Sequence, residues 1–427
     1  MELKRKIATA LATGALVLNA VATPAFASTT IQISGNGNSS SSNVSVNQSQ
    51  STAVVQNNNA NVTNNVSVNA STGGNDANGN TGGDVLIDTG NAKANVTVNN
   101  KLNSNAASID CCPATGNTSV LISGNGNNTT NDVDLDQSSF NGVFQNNSAN
   151  VDNDVRAKVK TGDNDANGNT GGDVIVRTGN ANATVNVSTE ANANIARIGG
   201  NGDGAGSLSL RILGNGQNSN NTIDADVSKS QLVAQNNDAY VDNDVNVKAK
   251  TGDNDANGNT GGDVLIDTGD ANINAMVDNR VNFNWADLNC GCLLDDVLAK
   301  IDGNGQNSDN NLDLNLSDGG PCYWELGGDD KDGCSGTFQD NNADLDNDLY
   351  KKAKTGDNDA NGNTGPSDPN DPVVILTGNV DDRESISNRG NVNMVGNDLD
   401  LDLPELDLDF DLGDLMQLLD LLNDLLG

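Results

Sequence analysis

The stretch TGDNDANGNTGGDV runs from Thr161 to Val174 and returns letter for letter at Thr251–Val264. A near copy, TGGNDANGNTGGDV, opens at Thr72, and a shortened one, TGDNDANGNTG, opens at Thr355. A second signature (SGNGNS, SGNGNN, LGNGQN, DGNGQN) sets its first glycine at positions 35, 124, 214 and 303, so its spacings are 89, 90 and 89. From that glycine to the threonine of the acidic loop there are 37 residues in three copies and 52 in the fourth. The chain is therefore four units of about 90 residues, and the fourth carries an insertion of 15.

Inside a unit, apolar residues alternate with polar ones. Val44 and Val46, then Val66, Val68 and Ala70, then Ala92, Ala94, Val96 and Val98 follow period two, the signature of strands with one buried face. Asn-Gly, Thr-Gly and Gly-Gly pairs between the runs supply the positive φ angles of tight corners. A smaller module recurs around Ala60, Ala77 and Ala92, at steps of 17 and 15. It reads as the coil of a β-solenoid, with asparagine ladders and a narrow interior of Val and Ala. The expected fold is all-β, an elongated solenoid-like array of four repeats. Tandem β-sandwich domains are the alternative, because about 90 residues also suits an immunoglobulin-like module. The expected division is a signal peptide at 1–27, repeats at 28–119, 120–209, 210–298 and 299–380, and an acidic Leu/Asp-rich tail at 381–427 ending in a short amphipathic helix.

Over Ile31–Asn284 and Ile301–Val380 these Asn- and Gln-rich strands with glycine corners resemble, in style, the curlin-type and other bacterial surface β-repeat proteins. The unit is longer than a curlin repeat and the Gln and Asn spacing departs from it. The resemblance implies an extracellular structural or fibre-forming role, and it carries over no individual site.

Lys4-Arg5-Lys6, the apolar run Ile7–Val21 and Ala25-Phe26-Ala27 read as a secretory signal, which places the protein outside the cell or on its surface. No later stretch suits a membrane span. The 22 basic and 58 acidic residues leave a net charge of −36, which argues against nucleic acid as a partner and favours cations or solubility. The chain has no histidine. That removes Ser-His-Asp and Cys-His nucleophile pairs and the commonest zinc ligand, so the reading is not an enzyme.

Asp163, Asp165 and Asn167, followed by Gly168, have the D-x-D-x-N-G order that opens many calcium loops. Asp253, Asp255 and Asn257 repeat it, as do Asp357, Asp359 and Asn361. Val174 and Val264 stand where an EF-hand places its bidentate Glu, with Asp173 and Asp263 one residue earlier. A Ca2+ site is one reading of this loop. Local ion pairing is the other, because the first unit loses acids and lysines together. Gly74, Asn69 and Ser71 stand where later units have Asp163, Lys158 and Lys160, and VDNDV becomes VTNNV. Asp152 or Asp154 offsetting Lys158 or Lys160 across adjacent strands would account for that.

Six cysteines in a secreted chain suggest disulfides. Cys322 and Cys334 would close the insertion, and Tyr323 and Trp324 inside it are a cap or a partner contact. Cys111 and Cys112 lie two units from Cys290 and Cys292. With several coils per unit, at about 4.8 Å each, they stand tens of ångströms apart, beyond the roughly 7 Å a disulfide allows. They would then bond locally or between molecules. The function expected is a secreted scaffold that self-associates or coats a surface. Its alternatives are a calcium-dependent adhesin for a glycan or protein partner, and a carboxylate-based polysaccharide-active enzyme on a β-helix.

Overall fold

A computed structural model describes residues 6–13, 16–22, 28–110, 117–199, 206–289, 294, 296–318, 320–321, 334–365 and 373–396. Among them every regular element is a strand. The first unit contains β3 (Thr29–Ser34), β4 (Ser41–Ser71), β5 (Val85–Asp88) and β6 (Ala92–Asp110). The second repeats this as β7 (Thr118–Ser123), β8 (Thr130–Lys160), β9 (Val174–Arg177) and β10 (Ala181–Gly199). The third has β11 (Leu208–Leu213), β12 (Asn220–Lys250), β13 (Val264–Asp267) and β14 (Ala271–Asn289). In the fourth, β15 (Val297–Asp302) precedes a long strand that the insertion divides into β16 (Asp309–Asp318), β17 (Gly320–Pro321) and β18 (Cys334–Lys354). β19 (Val373–Leu376) and β20 (Val380–Val395) complete it. Two further strands, β1 (Lys6–Thr13) and β2 (Leu16–Ala22), pair with the outer edge of β6.

Equivalent strands of successive units stack in parallel and form four sheets. Val44 sits beside Val133, and Val133 beside Ile223, with no slip along the 31 residues. Each unit of about 90 residues is thus one coil of a solenoid-like stack. The 17- and 15-residue module is not the coil, since hydrogen bonds link residues 89 or 90 apart. Sandwich domains are excluded for the same reason: strands pair between units rather than within them, and all run parallel.

This changes the proportions. A 31-residue strand extends about 100 Å, whereas four coils at about 4.8 Å per step are about 15 Å from first to last. The long dimension runs along the strands and not along the stack. The described ends of β6 and β14 stand two steps apart, about 10 Å, because Ile109, Ile198 and Leu288 form one column. The tens of ångströms expected from several coils per unit do not apply. The cysteines at 111, 112, 290, 292 and 322, together with Tyr323 and Trp324, lie outside the described residues, as does the side chain of Cys334. The fourth repeat reaches past residue 380, since β20 pairs with β14 from Val380 to Val395. The expected C-terminal helix lies outside the described residues.

Within a coil, β6 runs back along β4 across a thin interior. Val68 and Ala70 pack against Ala92, Ala94, Val96 and Val98, and β3 covers the beginning of β4 through Ile31 and Ile33 against Val44 and Val46. Where the two walls meet midway, asparagines replace the apolar residues. Asn147 donates to Asn194 Oδ1 at 2.8 Å and to Asn237 Oδ1 at 3.0 Å, while Asn194 donates to Asn237 Oδ1 at 2.9 Å. Two asparagine columns from facing sheets are thereby zipped through all four coils, which satisfies amides that would otherwise be costly to bury. A glutamine column runs beside them: Gln145 donates to Gln56 Oε1 at 2.7 Å and to the Ile195 carbonyl at 2.8 Å.

One more column sets the shape of the second wall. Asn103, Asn192, Asn282 and Asn391 all adopt left-handed φ, between 56° and 64°. Asparagine tolerates that region better than other residues with a Cβ. The inward face of β6 therefore changes phase there, from Ala92–Val98–Leu102 on even positions to Asn103–Asn105–Ala107–Ile109 on odd ones.

Candidate functional site

The acidic loop leaves the stack and returns to it through a narrow neck. Thr161 Oγ1 donates to the Gly179 carbonyl at 2.7 Å, and Thr72 and Thr251 make the same bond to Gly90 and Gly269. Beyond the neck the loop folds over a core of its own, with Ala166 and Ala256 against Val174, Val176, Val264 and Ile266.

At the neck Asp163, Asp253 and Asp357 hold left-handed φ of 56–60°, the conformation Gly74 takes in coil 1. Each aspartate is ion-paired to the lysine three residues earlier. Lys160 meets Asp163, Lys250 meets Asp253, and Lys354 meets Asp357. Lys250 also reaches down to Asp163, and Lys354 to Asp253. Acid and base therefore alternate up the stack as one chain of ion pairs. Burial pushes the Asp163 carboxyl up, but hydrogen bonds from Lys160 and Lys250 outweigh it and leave the group below the usual carboxylate range. Burial likewise opposes ionisation of Asp253, and Lys250 and Lys354 prevail in the same way. The ion pairing expected from the sequence is present, with the loop aspartates as partners in place of Asp152 and Asp154. Asp154 pairs with Arg156 at 3.0 Å.

The other loop acids go elsewhere. Asp165 and Asp255 stand in one column with Asp76 and Asp359. Burial, followed by the charge of Asp76, raises the Asp165 carboxyl, and burial followed by Asp165 and Asp359 raises Asp255. Asn167 Oδ1 accepts the Asn257 backbone N–H at 2.6 Å, and Asn257 Oδ1 accepts that of Asn361 at 2.5 Å. Asp173 Oδ1 accepts the Asp263 N–H at 3.0 Å. Asn167, Asn257 and Asp173, whose oxygens a calcium loop would direct at one ion, here accept backbone N–H groups of the next coil. Among the described residues no group of three or more Cys, Asp or Glu side chains is placed to hold a metal ion.

Coil 1 is a natural variant of the corner. Lys160 Nζ lies 3.8 Å from the Cβ position of Gly74, so an aspartate there would give Lys160 the second carboxylate that Lys250 already has. Gly74→Asp is expected to stabilise the protein by about 0.5–1 kcal/mol, read as a shift in urea midpoint.

One charged feature escaped the sequence reading, and a second was read only in part. The first is a charged triad in coil 4: Lys351 lies 2.9 Å from Asp382 and 2.8 Å from Glu384. They occupy columns that hold Val247, Ile273 and Ala275 one coil below. Aligning the fourth unit with the third across its insertion would have exposed the substitution. The second is a stripe on the outer face of the long strands. Outward positions there read Asp152, Asp154, Arg156, Lys158, Lys160 in coil 2 and Asp242, Asp244, Asn246, Lys248, Lys250 in coil 3. Coil 4 continues with Asp346, Asp348, Tyr350, Lys352 and Lys354. No known protein family, curated protein or solved structure matches this chain.

Proposed function

We propose that the protein is a secreted structural scaffold of the cell surface or extracellular matrix that binds a second copy of itself through coil 1. The observation that carries this reading is the difference between the two ends of the stack. At the coil 4 end, the ion-paired Lys351, Asp382 and Glu384 take the columns that are apolar one coil below, and charges on the inward columns of an edge are a device by which β-proteins close it. At the coil 1 end, β3, β4 and β5 stand last in their sheets, and the interior columns are Val, Ala, Asn and Gln. β1 and β2 lie against β6 in the chain that begins at Met1. Removal of the signal segment opens that strand as well.

The glycines support the same reading. A Cβ on Gly126 would meet Gly37 backbone at 2.9 Å, and one on Gly179 would meet Gly90 and Asn91 backbone at 2.6 Å. Gly37 and Gly90 have nothing within 4 Å, and a further layer beneath coil 1 would give them the steric reason to be glycine that Gly126 and Gly179 already have. In a chain starting at Ser28, Gly37→Ala with Gly90→Ala is expected to leave the melting curve unchanged and to abolish association in sedimentation velocity. Wild type should form a discrete species. Endless fibres would contradict closure at coil 4, and a wild-type monomer would sink the proposal.

A further inference from the structure

The stripe on the outer face of β8, β12 and β18 has a charge order that changes sign about its centre. Reading along each strand, two aspartates, one central residue and two lysines occupy alternate positions, and three coils repeat the order in register. Coil 1 has Thr63, Asn65, Ser67, Asn69 and Ser71 there, with no charge at all. The inner lysines at 160, 250 and 354 are held by the corner aspartates, which leaves two unlike strips. Lys158, Lys248 and Lys352 are exposed, with Lys248 lying 5.5 Å from the ring centre of Tyr350. The aspartate strip is crowded with like charge. Burial, then the charges of Asp346, Asp152, Asp244 and Asp348, raises Asp242 above the ordinary carboxylate range.

Within one chain these strips do not meet. Asp154 and Lys158 are four residues apart on one strand, about 13 Å, well beyond an ion pair.

We propose that this face pairs side by side with the same face of a second copy, about a two-fold axis that runs along the stack through the column of Arg156, Asn246 and Tyr350. The charge order selects that axis. A two-fold along the strands would set aspartate on aspartate. A two-fold along the stack reverses strand direction, so each aspartate strip faces a lysine strip, twice over, in the self-complementary manner of an isologous contact. Such a contact also explains why Asp152 and Asp154 are lost in coil 1 together with Lys158, to which they are not bonded. The inference rests on the scaffold reading but uses a different surface, since coil 1 contributes no charge to it.

The patch is small. Eight residues of strand and three coils span about 26 Å by about 10 Å between outermost columns, less than a stable interface requires. One pair of copies therefore associates weakly, and strength comes from several pairs acting together when copies are also joined through coil 1. The net charge of −36 opposes pairing at a distance. At about 0.15 M salt, however, screening acts within about 8 Å and leaves the facing strips as the dominant interaction.

The test is a charge swap in the full chain, read by sedimentation velocity at about 0.15 M salt. One variant carries Lys158→Glu, Lys248→Glu and Lys352→Glu, and the other carries Asp154→Lys, Asp244→Lys and Asp348→Lys. Wild type should show a concentration-dependent pair. Each variant alone should weaken it at least tenfold, and an equal mixture of the two should restore it. The lysine variant changes exposed side chains only, and thermal melts establish that both variants are folded. Coil 1 contacts are removed in parallel by adding Gly37→Ala and Gly90→Ala, so a failure of the scaffold reading is distinguished from a failure of this one. The inference is overturned if that background shows no pairing at all, if either swap leaves pairing unchanged, or if two folded variants fail to pair when mixed.

Discussion

Gly162→Ala is expected to lower the free energy of unfolding by more than about 3 kcal/mol, the upper end of ordinary overpacking. A Cβ at Gly162 would run into the Gly252 carbonyl oxygen and stand 2.5 Å from that of Thr251. Neither neighbour is a side chain that can turn aside. Relief requires coils 2 and 3 to separate at the neck, where Thr251 bonds the Gly269 carbonyl and Lys250 joins Asp163 to Asp253. Gly356 occupies the same position in coil 4 and has nothing within 4 Å, so Gly356→Ala should be close to neutral. Urea titration of the two variants measures the difference. Equal stabilities would mean that the coils are not stacked in this register.

The second large effect lies in the asparagine zipper. Asn147 is fully buried, and its amide donates to Asn194 Oδ1, Asn237 Oδ1 and the Ala193 carbonyl, the last at 3.2 Å. Asn147→Asp keeps the shape and replaces that donor with an acceptor, so a carboxylate faces three oxygens. At neutral pH the cost should be about 3 kcal/mol or more. The pH dependence has a definite sign. Burial and the lost donors raise the carboxyl of the new aspartate in the folded state. The protonated acid donates again, and its contribution is present at low pH and lost as pH rises through that raised value. The variant should therefore recover part of its stability relative to wild type on acidification. Asn341→Asp, in the half-open top coil, should lose less. Urea midpoints at neutral and mildly acidic pH test both statements.

How far the sequence reveals this fold depends on the element. Strand type, the 90-residue period and the four units follow from Val44–Val46 and from the repeated glycines, because alternation and turn chemistry are local. The size of a coil is not local. Steps of 17 and 15 between alanines mark corners and strand positions inside one coil, and only the pairing of residues 89 or 90 apart reveals that the whole unit is a single rung. The phase change at Asn103 hides half of β6 from a search for alternation, since LNSN reads as polar loop until one residue is allowed left-handed φ. At the corner, the replacement of an aspartate and two lysines by Gly74, Asn69 and Ser71 as a set pointed to ion pairing. The partner was misassigned because Asp163 looks like the first ligand of a calcium loop, and its left-handed backbone, which turns the carboxylate toward Lys160, is invisible in the letters.

The neck at Thr161 and Gly179 has a consequence for how such a chain changes over generations. Each coil bonds only to the coils above and below, and the text at the neck is identical in coils 2 and 3. Crossing over between two copies of that text removes or adds one complete coil and brings the next ladder, glycine and ion pair into register. Change in length therefore comes in whole rungs. An insertion within a rung is tolerated where the ladder resumes on its far side, as β16 and β18 both pair with β12 in register.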